Sequence, residues 1–152
     1  MGLTGISPLI SPELLFVLSA MGHGDEIVFA DIHFPTASIC RAGPTQVRAD
    51  GHKISDLLQA ILPLFPLDTY WNYSGAVMDL VPSDKQKGME QPAAWAKYSD
   101  IIKARGDTTN SLEKVDRFQF YDRAKQAFAV VHTGDTAAYG NLILKKGLVK
   151  YN

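Results

Sequence analysis

Ionisable side chains crowd around one apolar run near the N-terminus. In "MGHGDEIVFADIHFP", residues 21–35, His23, Asp25 and Glu26 precede Ile27, Val28, Phe29 and Ala30, and Asp31 and His33 follow them. An imidazole gains and loses a proton near neutral pH. A carboxylate can accept one or grip a hydroxyl, so His23 and Asp31 at the two ends of the run suit acid–base chemistry on a polar substrate. The competing explanation of His23 is structural: after Gly22 it stands where a helix would end, facing the last carbonyls. A second candidate is "YGNLILKKG". Tyr139 and Asn141 each donate and accept hydrogen bonds, which matches hydroxyl recognition, and the plainer alternative is a turn. In "DRFQFYDRAKQAF", Arg117, Arg123 and Lys125 lie beside Phe118, Phe120 and Tyr121, and spacing alone makes this an amphipathic helix with a solvated basic face.

Other chemistries find less support. His33 and His52 lie in polar stretches and read as solvated, and His132 reads as a strand-end residue. The four histidines lack zinc-site spacing and no CxxC occurs, so no metal is expected. No GxGxxG opens a helix and no Walker-type phosphate loop occurs, so no nucleotide cofactor is indicated. A GxSxG elbow is missing. Cys40, the single cysteine, reads as packed; it excludes an intramolecular disulfide and fits a reducing compartment. The net charge of −1 gives no broad draw to nucleic acid or membrane. Apolar stretches are too short to span a bilayer, and no basic segment leads into a long apolar run, so the expected location is the cytoplasm.

The elements that must position these residues alternate in type. Ser11-Pro12-Glu13 is a helix start followed by Leu14 to Leu18, with Gly22 as the stop. Residues 27–30 form a buried strand. "FPTASICRAGP" reads as loop, Val47–Ala49 as a short strand and Asp50-Gly51 as a turn. Ile54, Leu57, Leu58, Ile61 and Leu62 recur at helical spacing until Pro63. "GAVMDLV" is a strand, "PSDKQKGMEQP" a surface loop, and Trp95 to Ile102 a helix ending near Gly106. After the "DTTNS" loop come a strand at 112–115 and a helix capped by Asp116, with Phe118, Tyr121 and Ala124 on one side. "AFAVVHTG" and "NLILKK" are strands joined by a short helix or turn. Strands alternating with helices in 152 residues, 46% of them hydrophobic, predict one α/β domain with its sheet covered on both faces.

Several blocks in register carry the analysis further. "ISPLISPELLFVLSAMGHGDEIVFADIHFP", "RADG" with "ISDLLQAILPLFPLDTY", "RFQFYDRAKQAFAVVHTGD" and "YGNLILKKG" together resemble the ribose pyranase/fucose mutarotase family, from Ile6 to Gly147. "VMDLVPSDKQKG" resembles its animal-type branch. The resemblance implies a three-layer α/β/α sandwich with a mixed sheet, a single domain over 1–152. It implies cofactor-free interconversion of the anomers of L-fucose, with His23 as the proton donor. Asp31, Arg117, Tyr139, Gly140 and Asn141 match sugar-contacting positions. Asp68 in "LDTY" and Tyr121 in "FYDRA" match further catalytic-site positions, Asp68 as a candidate base partner. Asp31 would hold a sugar hydroxyl or orient His23, and an aromatic wall of Tyr121, with Trp71, would face the C6 methyl. His33 varies among members and stays outside the core site. Family members form ring-like homo-oligomers, typically decamers, with the site at a subunit boundary. Two alternatives stand beside this: pyranose–furanose exchange on D-ribose, which Arg117 in its "RFQFY" setting disfavours, and a non-catalytic sugar-binding oligomer.

Overall fold

The strand around residues 27–30 is apolar on both faces because both are covered. In the computed structural model, which describes residues 2–106 and 108–151, β1 (Glu26–Ala30) lies inside a six-stranded sheet of order β2-β5-β1-β6-β3-β4. The other strands are β2 (Thr45–Ala49), β3 (Gly75–Met78), β4 (Leu112–Val115), β5 (Ala129–Thr133) and β6 (Leu142–Lys145). β1 runs parallel to β5, which runs parallel to β2, and β3 runs parallel to β4. β6 runs antiparallel to both its neighbours, β1 and β3, so the sheet is mixed.

Successive strand residues point to opposite faces, and each face has its own core. Ile27, Phe29, Val77, Val131, Leu142 and Leu144 meet α1 (Pro12–Ala20), α3 (Ile54–Ile61) and α5 (Ala93–Ala104). Val28, Ala30, Ala76, Met78, Val130 and Ile143 meet α2 (Thr36–Cys40) and α6 (Arg117–Lys125). This is the three-layer α/β/α sandwich expected. α1 starts as the sequence predicts: Ser11 Oγ accepts the Leu14 N–H at 3.1 Å and proline fills the first turn. Asp116 caps α6 by accepting the Phe118 N–H at 3.1 Å.

Three local expectations change. "FPTASICRAGP" contains α2, and "PSDKQKGMEQP" contains α4 (Pro82–Gln86), each a five-residue helix. On α6 the buried side chains are Phe120 and Ala124, whereas Phe118 is 68% exposed. The Asp116 cap sets the helix phase, and it turns the residue two positions on towards solvent. Of the "DTTNS" loop, Asp107 lies outside the described residues, as do Met1 and Asn152 at the ends of the expected domain.

Candidate active site

The C-terminal ends of β1 and β3 and the N-terminal end of β6 share one edge of the sheet, because β6 is antiparallel to the other two. Ligands favour the carboxyl ends of parallel strands in α/β sheets. A cleft of about 330 Å³ opens there, with Asp31, Asp84, Arg117, Tyr121, Tyr139 and Asn141 among the side chains that line it. His33 also reaches it, and Phe34, Met78 and Val81 give it an apolar wall.

Each polar group is held by a specific bond. Asn141 Oδ1 accepts the Asp31 backbone N–H at 2.7 Å, which leaves its amide N–H₂ for other partners. Asp31 Oδ1 accepts the His33 N–H at 2.9 Å. Burial pushes the Asp31 carboxyl above its ordinary value, and the His33 N–H only partly offsets this. Arg117 Nε donates to the Tyr121 hydroxyl at 3.3 Å, and its guanidinium lies 5.6 Å from the Tyr121 ring centroid. Tyr139 has φ +56°, in the left-handed region that non-glycine residues rarely enter. Two residues of α5 lock this turn: Trp95 Nε1 donates to the Tyr139 carbonyl at 2.9 Å, and the Tyr98 hydroxyl donates to the Gly140 carbonyl at 2.7 Å. Position 140 must be glycine, since a Cβ there would stand 2.9 Å from the Ala137 carbonyl oxygen. The Tyr139 hydroxyl donates to Asp84 Oδ2 at 2.5 Å and accepts from the Val81 N–H at 3.3 Å.

The opposite edge of the sheet holds a second cluster. The turn before β1 is tied to the end of β6 by Gly24 N–H to the Lys146 carbonyl, 2.8 Å, and Lys146 N–H to the Asp25 carbonyl, 2.9 Å. It presents His23, whose Nε2 lies 3.1 Å from Asp68 Oδ1. Asp68 is buried, His23 is 41% exposed, and the Tyr70 ring lies 5.6 Å from the imidazole. Burial pushes the Asp68 carboxyl up, but the Tyr70 N–H, His23 and Lys145 together outweigh it and leave it below its ordinary value. The helix-end role weighed for His23 is filled by Lys146, whose Nζ donates to the Leu18 and Met21 carbonyls at 2.7 and 2.5 Å.

Asp31, Arg117, Tyr121, Tyr139, Gly140 and Asn141 therefore gather at one edge, and His23 and Asp68 pair at the other. The strand between them spans five residues, or roughly 16 Å at strand rise. Within one chain Asp31 does not orient His23; Asp68 does. Trp71 is also displaced from the expected wall. Its ring sits by the guanidinium of Arg123 and the ammonium of Lys145, at 5.0 and 4.8 Å, and not in the cleft. Phe34, Met78 and Val81 supply the apolar surface there. Asp84 was missed because its segment reads as loop; Pro82, at the first position of α4, was the available signal. Among the described residues no group of three histidine, cysteine or acidic side chains could hold a metal ion. No helix among them is long and apolar enough to cross a membrane.

Comparison with known proteins places these features among relatives. The sequence profile of the RbsD / FucU transport protein family matches residues 4–149. Fucose mutarotase from Danio rerio is 58% identical over 147 residues, covering 97% of this chain and 94% of the relative. Fucose mutarotase from Homo sapiens is 55% identical over 150 residues, covering 99% and 96%. The crystal structure of the fucose mutarotase from Streptococcus pneumoniae in complex with L-fucose superimposes with a TM-score of 0.87 at 42% identity, covering 97% of this chain and 100% of that one.

Proposed function

This chain belongs to the RbsD / FucU family, and on that premise we propose that it is an isomerase interconverting the α and β anomers of L-fucose, as a single domain and without a cofactor. The observation that carries the proposal is the cleft. It combines hydroxyl-binding groups of both polarities with an apolar wall, in a fold that aligns over nearly its whole length with a fucose mutarotase solved with L-fucose.

Anomer exchange opens the hemiacetal. The ring oxygen gains a proton as its bond to C1 breaks, the C1 hydroxyl loses one, the aldehyde turns, and the ring closes on its other face. His23 gives the proton, and Asp68, hydrogen-bonded to Nε2, orients the ring. Arg117, Asn141 and the Tyr121 hydroxyl donate to sugar oxygens, while Asp31 and Tyr139 accept from sugar hydroxyls. Phe34, Met78 and Val81 face the C6 methyl. Positioned acid–base groups supply roughly 10²–10⁴-fold, which suffices for a reaction that already proceeds in water.

His23 and the cleft lie a strand apart in one chain, so the complete site takes His23 and Asp68 from one copy and the cleft from its neighbour. Exposed Tyr70, Leu148 and Val149 border a groove on the same side of the molecule as Asp68, an apolar surface that suits burial against a second copy. A closed ring, with the decamer as the expected size, brings each cleft against a neighbour's His23. The lone Cys40 fits the reducing cytoplasm.

Saturation-transfer NMR on L-fucose tests the proposal. Catalysed exchange between the anomers is expected, lost in a folded His23→Ala variant. Faster exchange on D-ribose than on L-fucose would instead make the chain a pyranase, and saturable binding with no acceleration would make it a sugar-binding protein.

A further inference from the structure

We propose that Asp84 is a positioning residue that fixes the Tyr139 phenol as a hydrogen-bond acceptor towards the sugar, so that this wall of the cleft selects a hydroxyl able to donate. The sugar's identity rests on the mutarotase proposal; the side-chain pair does not.

A phenol has one proton and two acceptor positions. The Tyr139 proton is committed to Asp84 Oδ2, and one acceptor position to the Val81 N–H. One acceptor position is left. The base of the side chain cannot swing to change this, because Trp95 and Tyr98 hold the carbonyls of Tyr139 and Gly140. Asp84 is itself braced. It lies on α4, which opens with Pro82, and its neighbour Lys85 is paired with Asp79 at 2.8 Å. Burial and the Asp84 carboxylate both push the Tyr139 hydroxyl above its ordinary value, against the opposing charge of Arg117, so the phenol keeps its proton at neutral pH. Asp31 and His33 share the cleft. A sugar substituent that cannot donate would leave the remaining lone pair facing another acceptor, and such mismatches discriminate more strongly than apolar fit does.

The experiment compares wild type, Asp84→Ala, Asp84→Asn and Tyr139→Phe. First, tyrosine ionisation is followed by ultraviolet absorbance without sugar, with Tyr139→Phe subtracted to isolate the Tyr139 signal. Loss of the carboxylate in Asp84→Ala and Asp84→Asn is expected to move Tyr139 ionisation to lower pH. Second, binding of L-fucose and its 2-, 3- and 4-deoxyfluoro analogues is titrated by NMR. Fluorine accepts but cannot donate. One analogue is expected to bind wild type about ten- to a hundredfold more weakly than L-fucose. In Asp84→Ala the freed hydroxyl proton can turn to the fluorine, and the gap should close to about threefold or less. Asp84 is half-buried and outside both cores, so the variants should fold. Unchanged Tyr139 titration, or the same fluoro-sugar preference in wild type and Asp84→Ala, overturns the proposal. A shifted titration in a chain that accelerates no fucose exchange refutes the mutarotase proposal and upholds the pair.

Discussion

Mixing two inactive variants distinguishes a site within one chain from a site shared between chains. A proton donor must come within about 3 Å of the atom it serves, yet His23 and Asp31 flank a strand of five residues, roughly 16 Å long. His23 of one chain therefore cannot serve a sugar in its own cleft. His23→Ala removes the proposed donor and keeps the cleft; Arg117→Ala spoils the cleft and keeps the proposed donor. Each variant alone should lose at least about tenfold in anomer exchange. Co-refolded at equal concentrations, a random assembly takes its donor from an Arg117→Ala chain in half its sites and its cleft from a His23→Ala chain in half. About a quarter of all sites are then intact on both sides. Exchange measured by saturation-transfer NMR should recover to about 25% of wild type and fall on either side of the equal mixture. Mixed assemblies verified by native mass spectrometry that stay at the parental level would refute the shared site.

Two further predictions concern stability. Arg123 donates to Glu26 at 2.6 Å and to Glu113 at 2.9 Å, all three being half-buried. Among the described residues, Arg123→Ala leaves Glu26 with Lys145 at 3.9 Å as its ion-pair partner, and urea unfolding should show a loss of about 2 kcal/mol, below the range for fully buried pairs because water still reaches this one. Asp68 has its carboxyl held below the ordinary value of 3.8, so it contributes stability that is present above that value and lost as pH falls through the lower, folded value. Urea melts across the acid range should therefore show a smaller loss on acidification for Asp68→Asn than for wild type.

Much of the framework was legible because burial leaves a pattern. Ile27 to Ala30 reads as strand since both sheet faces are covered, and α3 reads as helix from Ile54, Leu57, Leu58 and Ile61. One-turn helices such as α2 and α4 are too short to show a period, so polar composition hid them. Nine residues of α6 cannot decide between Phe118 and Phe120 by spacing alone, because either completes an apolar stripe. The site residues were legible through blocks in register with a family. Which of them meet in one chain was not. His23 and Asp31 are close in sequence yet a strand length apart, whereas Asp31 and Asn141 are separated by 110 positions and share a 2.7 Å bond. Asp84 escaped for the same reason as α4: only folding brings it against Tyr139.

The position of β6 also dictates when the molecule can form. Five strands are synthesised before it, yet it lies between β1 and β3. Until residues 142–145 leave the ribosome, the β2-β5-β1 half and the β3-β4 half share no ladder, and each presents a raw apolar edge. A nascent chain halted before that point is two half-sheets exposed to aggregation, not a slightly shortened protein. The closing strand is thus a keystone set last.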